Sequence, residues 1–493
     1  GKDEKDPVPE KDIGYDLVEM DMKRIRDAGF NAIRTWGLLD EKIVELAAKY
    51  DLWVVGGIWT DRIIDLKNTS KIEMAKDHVA RQAKNYSRYP NVALLLILNE
   101  PEPGILLDVD DGELRSYFDS LVAAAHENCP GIPVSFSNWP IAAFIDSSSW
   151  DVISYNLYSN ASDDFKKVID FYDYLNGLKQ LKSPEKPFFI SEYGFYSPVP
   201  TPNPHDIWKF SYVRSEEEQA EKLLADLEIV SQTESCGFTM MQLLDIWFLS
   251  CDFVSPDVSI SPRDQNKHVH DLLCIEWGGL LSCDEKYEGI PRKAYYAVQK
   301  ANQAILREPD FKEIYDKEIP IRLYLEDTVK KVKAVIDEDA VFTIPRISPS
   351  WAEAKIPVES LTKTDKSVQH QLEIRLLDAK NKAINTLKRS FWTGQKPALP
   401  LITIRHEVDQ MEWPTFIITL AHPDGTPVSQ ARIDLAFLNC MTWEDTCLSA
   451  TTDTSGQSVV VSPDYGPLVM GVRYLYEKNG YSRTCSQLYY YKK

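Results

Sequence analysis

The sequence predicts an α/β protein: a (βα)8 TIM-type barrel followed by C-terminal β-sandwiches of immunoglobulin-like kind. Three observations predict it. Short apolar runs alternate with helical periodicities over about the first 300 residues. Two of those runs end in a glutamate, as Asn99-Glu100-Pro101 and as Glu192-Tyr193-Gly194. Past about residue 307 the helical periodicity gives way to short alternating runs divided by turn residues.

The elements are read in order. Ile13, Leu17, Met20, Met22, Ile25 and Ala28 recur at helical spacing, and Gly29 stops that helix. Asn31 to Trp36 reads as a short strand, Leu39 to Tyr50 as a helix, and Leu52 to Ile58 as an apolar strand ending at Trp59. A long helix spans 70–88. Val92 to Leu98 is seven apolar residues in a row, too few for a typical helix, and reads as a strand buried on both faces. Gly112 to Asn128 is helical. Ile132 to Phe136 is a strand closing on Ser137, Asn138 and Trp139, and Asp151 to Tyr155 is one closing on Asn156 and Tyr158. Residues 163–181 are helical, 187–191 form the strand before Glu192, 215–234 are helical, and Gly237 to Leu244 is a strand ending near Asp245 and Trp247. Lys293 to Leu306 is the last helix.

Apolar strands alternating with helices mean a parallel sheet covered by helices. Its natural closed form is the eight-stranded barrel, with its site at the carboxyl ends of the strands. Seven strands and eight helical segments are visible, one of the latter, after Trp139, very short. The first strand should precede the helix at 13–29, where only 12 mostly polar residues stand. It is missing or supplied from elsewhere. The catalytic barrel is therefore assigned to 1–306. Two sandwiches are assigned to 317–400 and 401–493, from runs such as Ile321 to Leu325, Gln371 to Leu376, Thr415 to Leu420 and Leu468 to Tyr476.

Composition narrows the function. The net charge is −20, which argues against a nucleic-acid partner, since phosphate contacts need clustered Lys and Arg. It suits a neutral ligand. No run approaches the roughly 20 apolar residues of a membrane span. No signal peptide is visible, and the opening Gly-Lys-Asp-Glu-Lys-Asp reads as a processed or trimmed start; the expected location is secreted, periplasmic or cell-surface. The eight Cys include no CxxC pair, so zinc ribbons and thioredoxin-like sites are excluded. A disulfide within Cys440, Cys447 and Cys485 is an expectation. The sequons at Asn68, Asn85 and Asn160 are near the number chance would give. No metal and no cofactor are expected, and the oligomeric state is open.

The residues gathered at the strand ends carry the chemistry: Arg34, Trp36, Trp59, Asn99, Glu100, Asn138, Trp139, Asn156, Tyr158, Glu192, Asp245 and Trp247. They include no phosphate-cradling Gly loop and no Cys–His couple. Ser135, Ser137 and Ser191 lack a paired His, and His268 and His270 read as surface residues of a loop. Two glutamates amid indoles point to glycoside chemistry, one acid protonating the leaving oxygen while the other attacks or stabilises the sugar cation. The acid must stay protonated near neutral pH, and a nearby negative charge raises its pKa. Arg34 is the partner expected to keep the second glutamate charged. Glu102 reads as solvated. Asp245 either binds a sugar hydroxyl or caps a loop. Trp351, Trp392, Trp413 and Trp443 read as core.

Over 13–305 the chain resembles a clan A glycoside hydrolase. The resemblance rests on Asn31-Ala32-Ile33-Arg34-Thr35-Trp36, Asn99-Glu100-Pro101, Asn156-Leu157-Tyr158, Ser191-Glu192-Tyr193-Gly194, and the segments Gly279-Leu280-Leu281 and Pro291 to Tyr296. Glutamates ending strands four and seven mark that clan. By resemblance Glu100 is the acid/base and Glu192 the nucleophile. Asn99 holds the sugar 2-hydroxyl, Tyr158 hydrogen-bonds the nucleophile, and Trp247 floors the first sugar subsite. Asn-Glu-Pro is similar to family 5; Asn-Leu-Tyr and Ser-Glu-Tyr-Gly lean toward family 2, the β-galactosidase, β-glucuronidase and β-mannosidase group. Family 2 members carry their sandwiches before the barrel, and this chain carries them after it.

Three functions follow as expectations. The first is a retaining β-glycoside hydrolase acting on a neutral oligosaccharide or polysaccharide. The second is a transglycosylase using the same carboxylates. The third is a non-catalytic carbohydrate-binding protein with a decayed barrel.

Overall fold

The structure, a computed structural model, describes residues 14–37, 40–107, 109–159, 163–182, 184–198, 211–245, 278–282, 289–361, 367–408, 413–442, 444–464, 466–478 and 481–492. Strands and helices alternate through its first half. The strands are β1 (Ala32–Arg34), β2 (Trp53–Ile58), β3 (Val92–Asn99), β4 (Val134–Ser137), β5 (Ile153–Asn156), β6 (Phe188–Tyr193) and β7 (Ser235–Met240). Between and around them run α1 (Tyr15–Asp27), α2 (Glu41–Lys49), α3 (Thr69–Tyr86), α4 (Pro103–Leu106), α5 (Asp111–Asn128), α6 (Asp163–Val168), α7 (Phe171–Lys182), α8 (Glu216–Gln232) and α9 (Lys293–Ala301).

Local chemistry sets the helix starts. Asp40 accepts from Lys42 N at 2.8 Å, Asn68 from Lys71 N at 3.2 Å, and Asp110 from Gly112 N at 2.9 Å. Each satisfies an amide that the helix leaves unpaired. The stretch 163–181, expected to be one helix, is two. Asp170 interrupts it and accepts from Asp173 N at 3.0 Å, starting α7. The last helix also ends earlier than its expected limit at Leu306. Ala304 and Leu306 instead bury alternate side chains in a strand, β10 (Ala304–Glu308), paired with β12 (Glu318–Leu325).

All seven early strands pair in parallel. β1 to β4 form one sheet in sequence order and β5 to β7 a second. A bridge between Asn138 and Tyr155 connects the two, with Asn156 N donating to Asn138 O at 2.7 Å. The combined sheet curves strongly. Val55 on β2, Leu94 and Leu96 on β3, Val152 before β5 and Phe189 on β6 form one small buried cluster, so the inner faces of distant strands meet. The helices lie outside, and their apolar faces join the strands in the largest core, around Trp150, Phe118 and Leu95. β7 comes near β1, yet among the described residues no backbone ladder joins them.

Beyond a short hairpin, β8 (Leu281–Ser282) and β9 (Ile290–Pro291), the remaining strands are mostly antiparallel. After β10 come β11 (Ile314–Tyr315), then β12, β13 (Lys331–Ile336), β14 (Ala340–Ile344), β15 (Arg346–Ser348), β16 (Trp351–Pro357), β17 (Val368–Leu377) and β18 (Ala383–Thr393). They form two sheets, β10-β12-β16-β15 and β11-β18-β17-β13-β14. Ile321 and Leu323 from one share a core with Ala334, Ile374 and Phe391 from the other. The last strands are β19 (Leu401–Val408), β20 (Pro414–Ala421), β21 (Arg432–Asn439), β22 (Asp445–Thr451), β23 (Gln457–Val461), β24 (Leu468–Lys478) and β25 (Tyr481–Tyr491). Their sheets are β19-β20-β23 and β22-β21-β24-β25, around a core of Phe416, Leu435 and Met470.

No disulfide joins Cys440, Cys447 and Cys485, contrary to expectation. Cys447 on β22 and Cys485 on β25 lie on opposite edges of one sheet with two strands between them, and Cys440 is buried just beyond β21. That separation exceeds disulfide reach. The final β unit packs on the helices. Phe165 N donates to Asp445 at 3.0 Å, and Lys492 Nζ donates to Val109 O at 3.2 Å. Among the described residues, no helix is long and apolar enough to cross a membrane.

Candidate active site

The site forms where the parallel strands end, and two irregularities in those strands create it. On β3, Leu96 pairs with Ser135 and Asn99 with Ser137, so β3 carries one residue more than β4 over this step. Leu98 and Glu100 take φ of +79° and +50°, in the left-handed region. In a regular strand, neighbours such as Asn99 and Glu100 would point to opposite faces. The bulge and the two left-handed residues turn both toward the same side. On β6 the pairing steps from Ile190 with Tyr155 to Glu192 with Asn156, leaving Ser191 as the extra residue. Each glutamate thus follows a bulge.

Glu192 is buried and faces donors. Arg34 donates through Nη1 and Trp36 through Nε1 at 2.8 Å, both to Oε1; Tyr158 donates its hydroxyl to Oε2. The same Tyr158 hydroxyl lies 3.0 Å from Met241 Sδ. Arg34 Nη2 reaches Asn99 Oδ1 and Ser137 Oγ, each at 2.8 Å. Asn156 Nδ2 then bridges Asn99 Oδ1 at 3.1 Å and Glu100 Oε1 at 2.9 Å. Ser191 Oγ donates to Asn156 Oδ1 at 2.8 Å, which orients that amide. One hydrogen-bonded network therefore runs from Glu192 to Glu100.

Burial and neighbouring charge act on the Glu100 carboxyl. Burial pushes the Glu100 pKa up to about 7, and the charge of Glu192 adds to the rise; the Asn156 hydrogen bond, Arg62 and Arg34 oppose it. Burial and the two glutamates hold the Tyr158 hydroxyl protonated, well above the usual phenol range. Glu100 is thus a carboxyl that exchanges its proton near neutral pH, and Glu192 accepts hydrogen bonds from three side chains.

The structure gathers Arg34, Trp36, Asn99, Glu100, Asn156, Tyr158 and Glu192 from the expected set. Trp139 joins at the edge, donating through Nε1 to Pro101 O at 2.8 Å. Asn138 turns to its own backbone, with Nδ2 on Ala142 O at 3.1 Å and Oδ1 accepting from Trp139 N at 2.9 Å. Trp59 is 50% exposed, and among the described residues it bonds to neither glutamate. Asp245 sits in a buried bidentate pair with Arg292, at 2.7 and 2.8 Å, and accepts from Gly279 N at 3.0 Å. That is the loop-holding alternative rather than contact with a hydroxyl. Trp247, His268, His270 and Trp443 lie outside the described residues.

Ser137 and Ser191 enter the network as hydrogen-bond partners. Sequence reasoning weighed them only as nucleophiles, although each ends an apolar run, Ser137 before Asn138 and Ser191 before Glu192. Arg62 was missed. It lies 5.2 Å over the Trp139 ring and 3.8 Å from Glu102, three positions after Trp59. Glu102, expected to be solvated, is 41% exposed and paired with it. Among the described residues no group of His, Cys, Asp and Glu is placed to hold a metal ion.

No family model matches the sequence, and no curated protein matches it. Among solved structures, the chain is similar to Bacteroides uniformis β-glucuronidase 2 covalently bound to cyclophellitol-6-carboxylate aziridine. The TM-score is 0.47 at 13% identity, covering 96% of this chain and 62% of that one. It is similar to Parabacteroides merdae β-glucuronidase with glycerol in its active site, with TM-score 0.45, 13% identity, and 96% and 59% of the two chains. A family 2 β-galacturonidase from Eisenbergiella tayi bound to glycerol gives TM-score 0.44 at 19% identity, over 59% and 47%. The chain spans about three-fifths of the length of the first two.

Proposed function

We propose that the protein is a retaining β-glycoside hydrolase of clan A type acting on a neutral glycan. In this reading the seven parallel strands belong to an eight-stranded βα barrel occupying residues up to about 306, and the paired antiparallel sheets that follow are two β-sandwiches. The observation that carries the function is the network from Glu192 through Arg34, Asn99 and Asn156 to Glu100, with the Glu100 pKa raised to about 7.

The chemistry follows from that asymmetry. Glu100, protonated near neutral pH, gives its proton to the leaving oxygen. Glu192 attacks the anomeric carbon, and the C–O bond to the leaving group breaks as the glycosyl–Glu192 ester forms. Glu100, now a carboxylate, takes a proton from water, whose oxygen attacks the same carbon and releases Glu192. Retaining enzymes hold their two carboxyl groups about 5–5.5 Å apart; here one guanidinium and two amides link the two groups. Asn99, fixed by Arg34 and Asn156, has its remaining amide hydrogens for the sugar 2-hydroxyl. Trp36 supplies an indole face beside Glu192, and Tyr158 steadies the nucleophile.

A panel of chromogenic aryl β-glycosides tests the reading. The wild type turns over at least one of them, and Glu192→Ala abolishes that turnover while the fold, followed by circular dichroism, persists. Unchanged activity in Glu192→Ala, or a wild type inert on the whole panel yet binding glycans, sinks it. The same covalent intermediate serves transfer to a second sugar, and product chromatography separates the two outcomes.

A further inference from the structure

We propose that the last β unit of the chain completes the leaving-group side of this cleft: Met441, with Arg62 and Glu102, forms the rim that receives a second sugar unit. The inference rests on the glycosidase reading and extends it to the substrate's far side.

The leaving group must lie on the side of the acid that protonates it. From Glu100 the chain runs through Pro101 and Glu102 into α4. Three features border that exit. Trp139 donates to Pro101 O, Arg62 lies over the Trp139 ring, and Glu102 pairs with Arg62 while its amide donates to Arg62 O at 3.0 Å. The fourth feature comes from more than 300 positions away. A Cβ placed on Gly104 would stand 3.4 Å from Met441 Cε and 3.9 Å from Glu102 Oε1. Gly104 thus has no side chain where the thioether arrives.

The turn that carries Met441 is built to hold it there. Asn439 Oδ1 accepts from Met441 N at 2.7 Å and from Thr442 N at 3.0 Å, and Asn439 Nδ2 donates to Asp464. Asn439 and Cys440 are buried, whereas Met441 is 50% exposed. An apolar, flexible side chain held out beside a half-exposed Arg and Glu matches the surface of a pyranose, whose C–H face packs on the thioether and whose hydroxyls bond the charged pair. The Arg62 side chain is 31% exposed while its Nε is buried, so the outer guanidinium nitrogens are the donors within reach of such a hydroxyl.

The test compares two substrates in the full chain. One is the β-glycosyl fluoride of whichever pyranose the wild type accepts, whose leaving fluoride occupies no second subsite. The other is the corresponding β-linked disaccharide. In Met441→Ala the ratio of kcat/KM for disaccharide to that for fluoride falls about five- to tenfold, and Met441→Leu restores it to within about twofold. A variant that folds poorly lowers both rates and leaves the ratio intact, so an unchanged ratio in Met441→Ala overturns the proposal. A wild type that cleaves neither substrate overturns the glycosidase reading itself, and this proposal with it.

Discussion

Arg34 and Glu192, 158 positions apart, form an ion pair whose side chains are only 7% and 6% exposed. The guanidinium does not stop at that carboxylate. It also grips Asn99 and Ser137, so one cation organises the ends of β3, β4 and β6. Removing it leaves a buried carboxylate without its counter-charge. Arg34→Met is expected to destabilise the fold by about 3–5 kcal/mol, read from urea denaturation, and to abolish turnover. A loss below about 1 kcal/mol would show that the pair contributes little to the core.

The pH response follows from Glu100. Its pKa rises from the ordinary carboxyl value of 4.5 to about 7, chiefly by burial and then by Glu192. The protonated form does the first step, so kcat/KM is expected to fall as pH rises through about 7. Stability moves in the same direction. The folded pKa lies above the unfolded one, so the contribution is complete below about pH 4.5 and is lost as pH climbs through about 7. Glu100→Gln keeps an acceptor for Asn156 and carries no charge. Its melting temperature should therefore exceed that of the wild type at pH 8, with the gap closing toward pH 5. A constant gap across that range would contradict the assignment.

Tyr158→Phe removes one of three donors to Glu192 and leaves the ring in place. Turnover is expected to drop about ten- to a hundredfold, with the melting temperature changed little. A rate within twofold of wild type would show that Arg34 and Trp36 suffice.

Asp245 and Arg292 form a second buried pair, apart from the carboxylate network. Asp245→Ala is expected to cost about 3–5 kcal/mol in denaturant because it takes the bidentate carboxylate from the buried Arg292 guanidinium. If the variant were instead fully stable but raised KM for the glycoside, Asp245 would be a sugar contact after all.

Much of this was legible in the sequence because apolar runs ending in Glu, Asn and Trp have few explanations other than a parallel sheet with a cleft at its edge. Glu100, Glu192, Arg34 and Tyr158 could be picked out that way. Three things were not legible. The bulges at Leu98 and Ser191 have no residue signature, since neither position is Gly, yet they aim Asn99 and both glutamates. Asp245 looked like a strand-end ligand because its partner, Arg292, lies 47 positions on. Met441 belongs to a turn whose approach to Gly104 depends on how separate β and α/β units pack, which local patterns do not encode.

Gly57 on β2 is buried beneath the site. A Cβ there would meet Thr35 O at 2.3 Å and Trp36 O at 2.4 Å, atoms of the backbone rather than a movable side chain. Gly57→Ala is expected to push Trp36 away from Glu192 and to destabilise by about 1–3 kcal/mol, with loss of activity exceeding what instability explains. A crystal structure of the variant with Trp36 unmoved would refute this. A residue with no side chain, touching neither substrate nor proton, thereby holds a veto over the reaction: chemistry at the mouth of the fold hangs on one hydrogen atom's worth of room behind it.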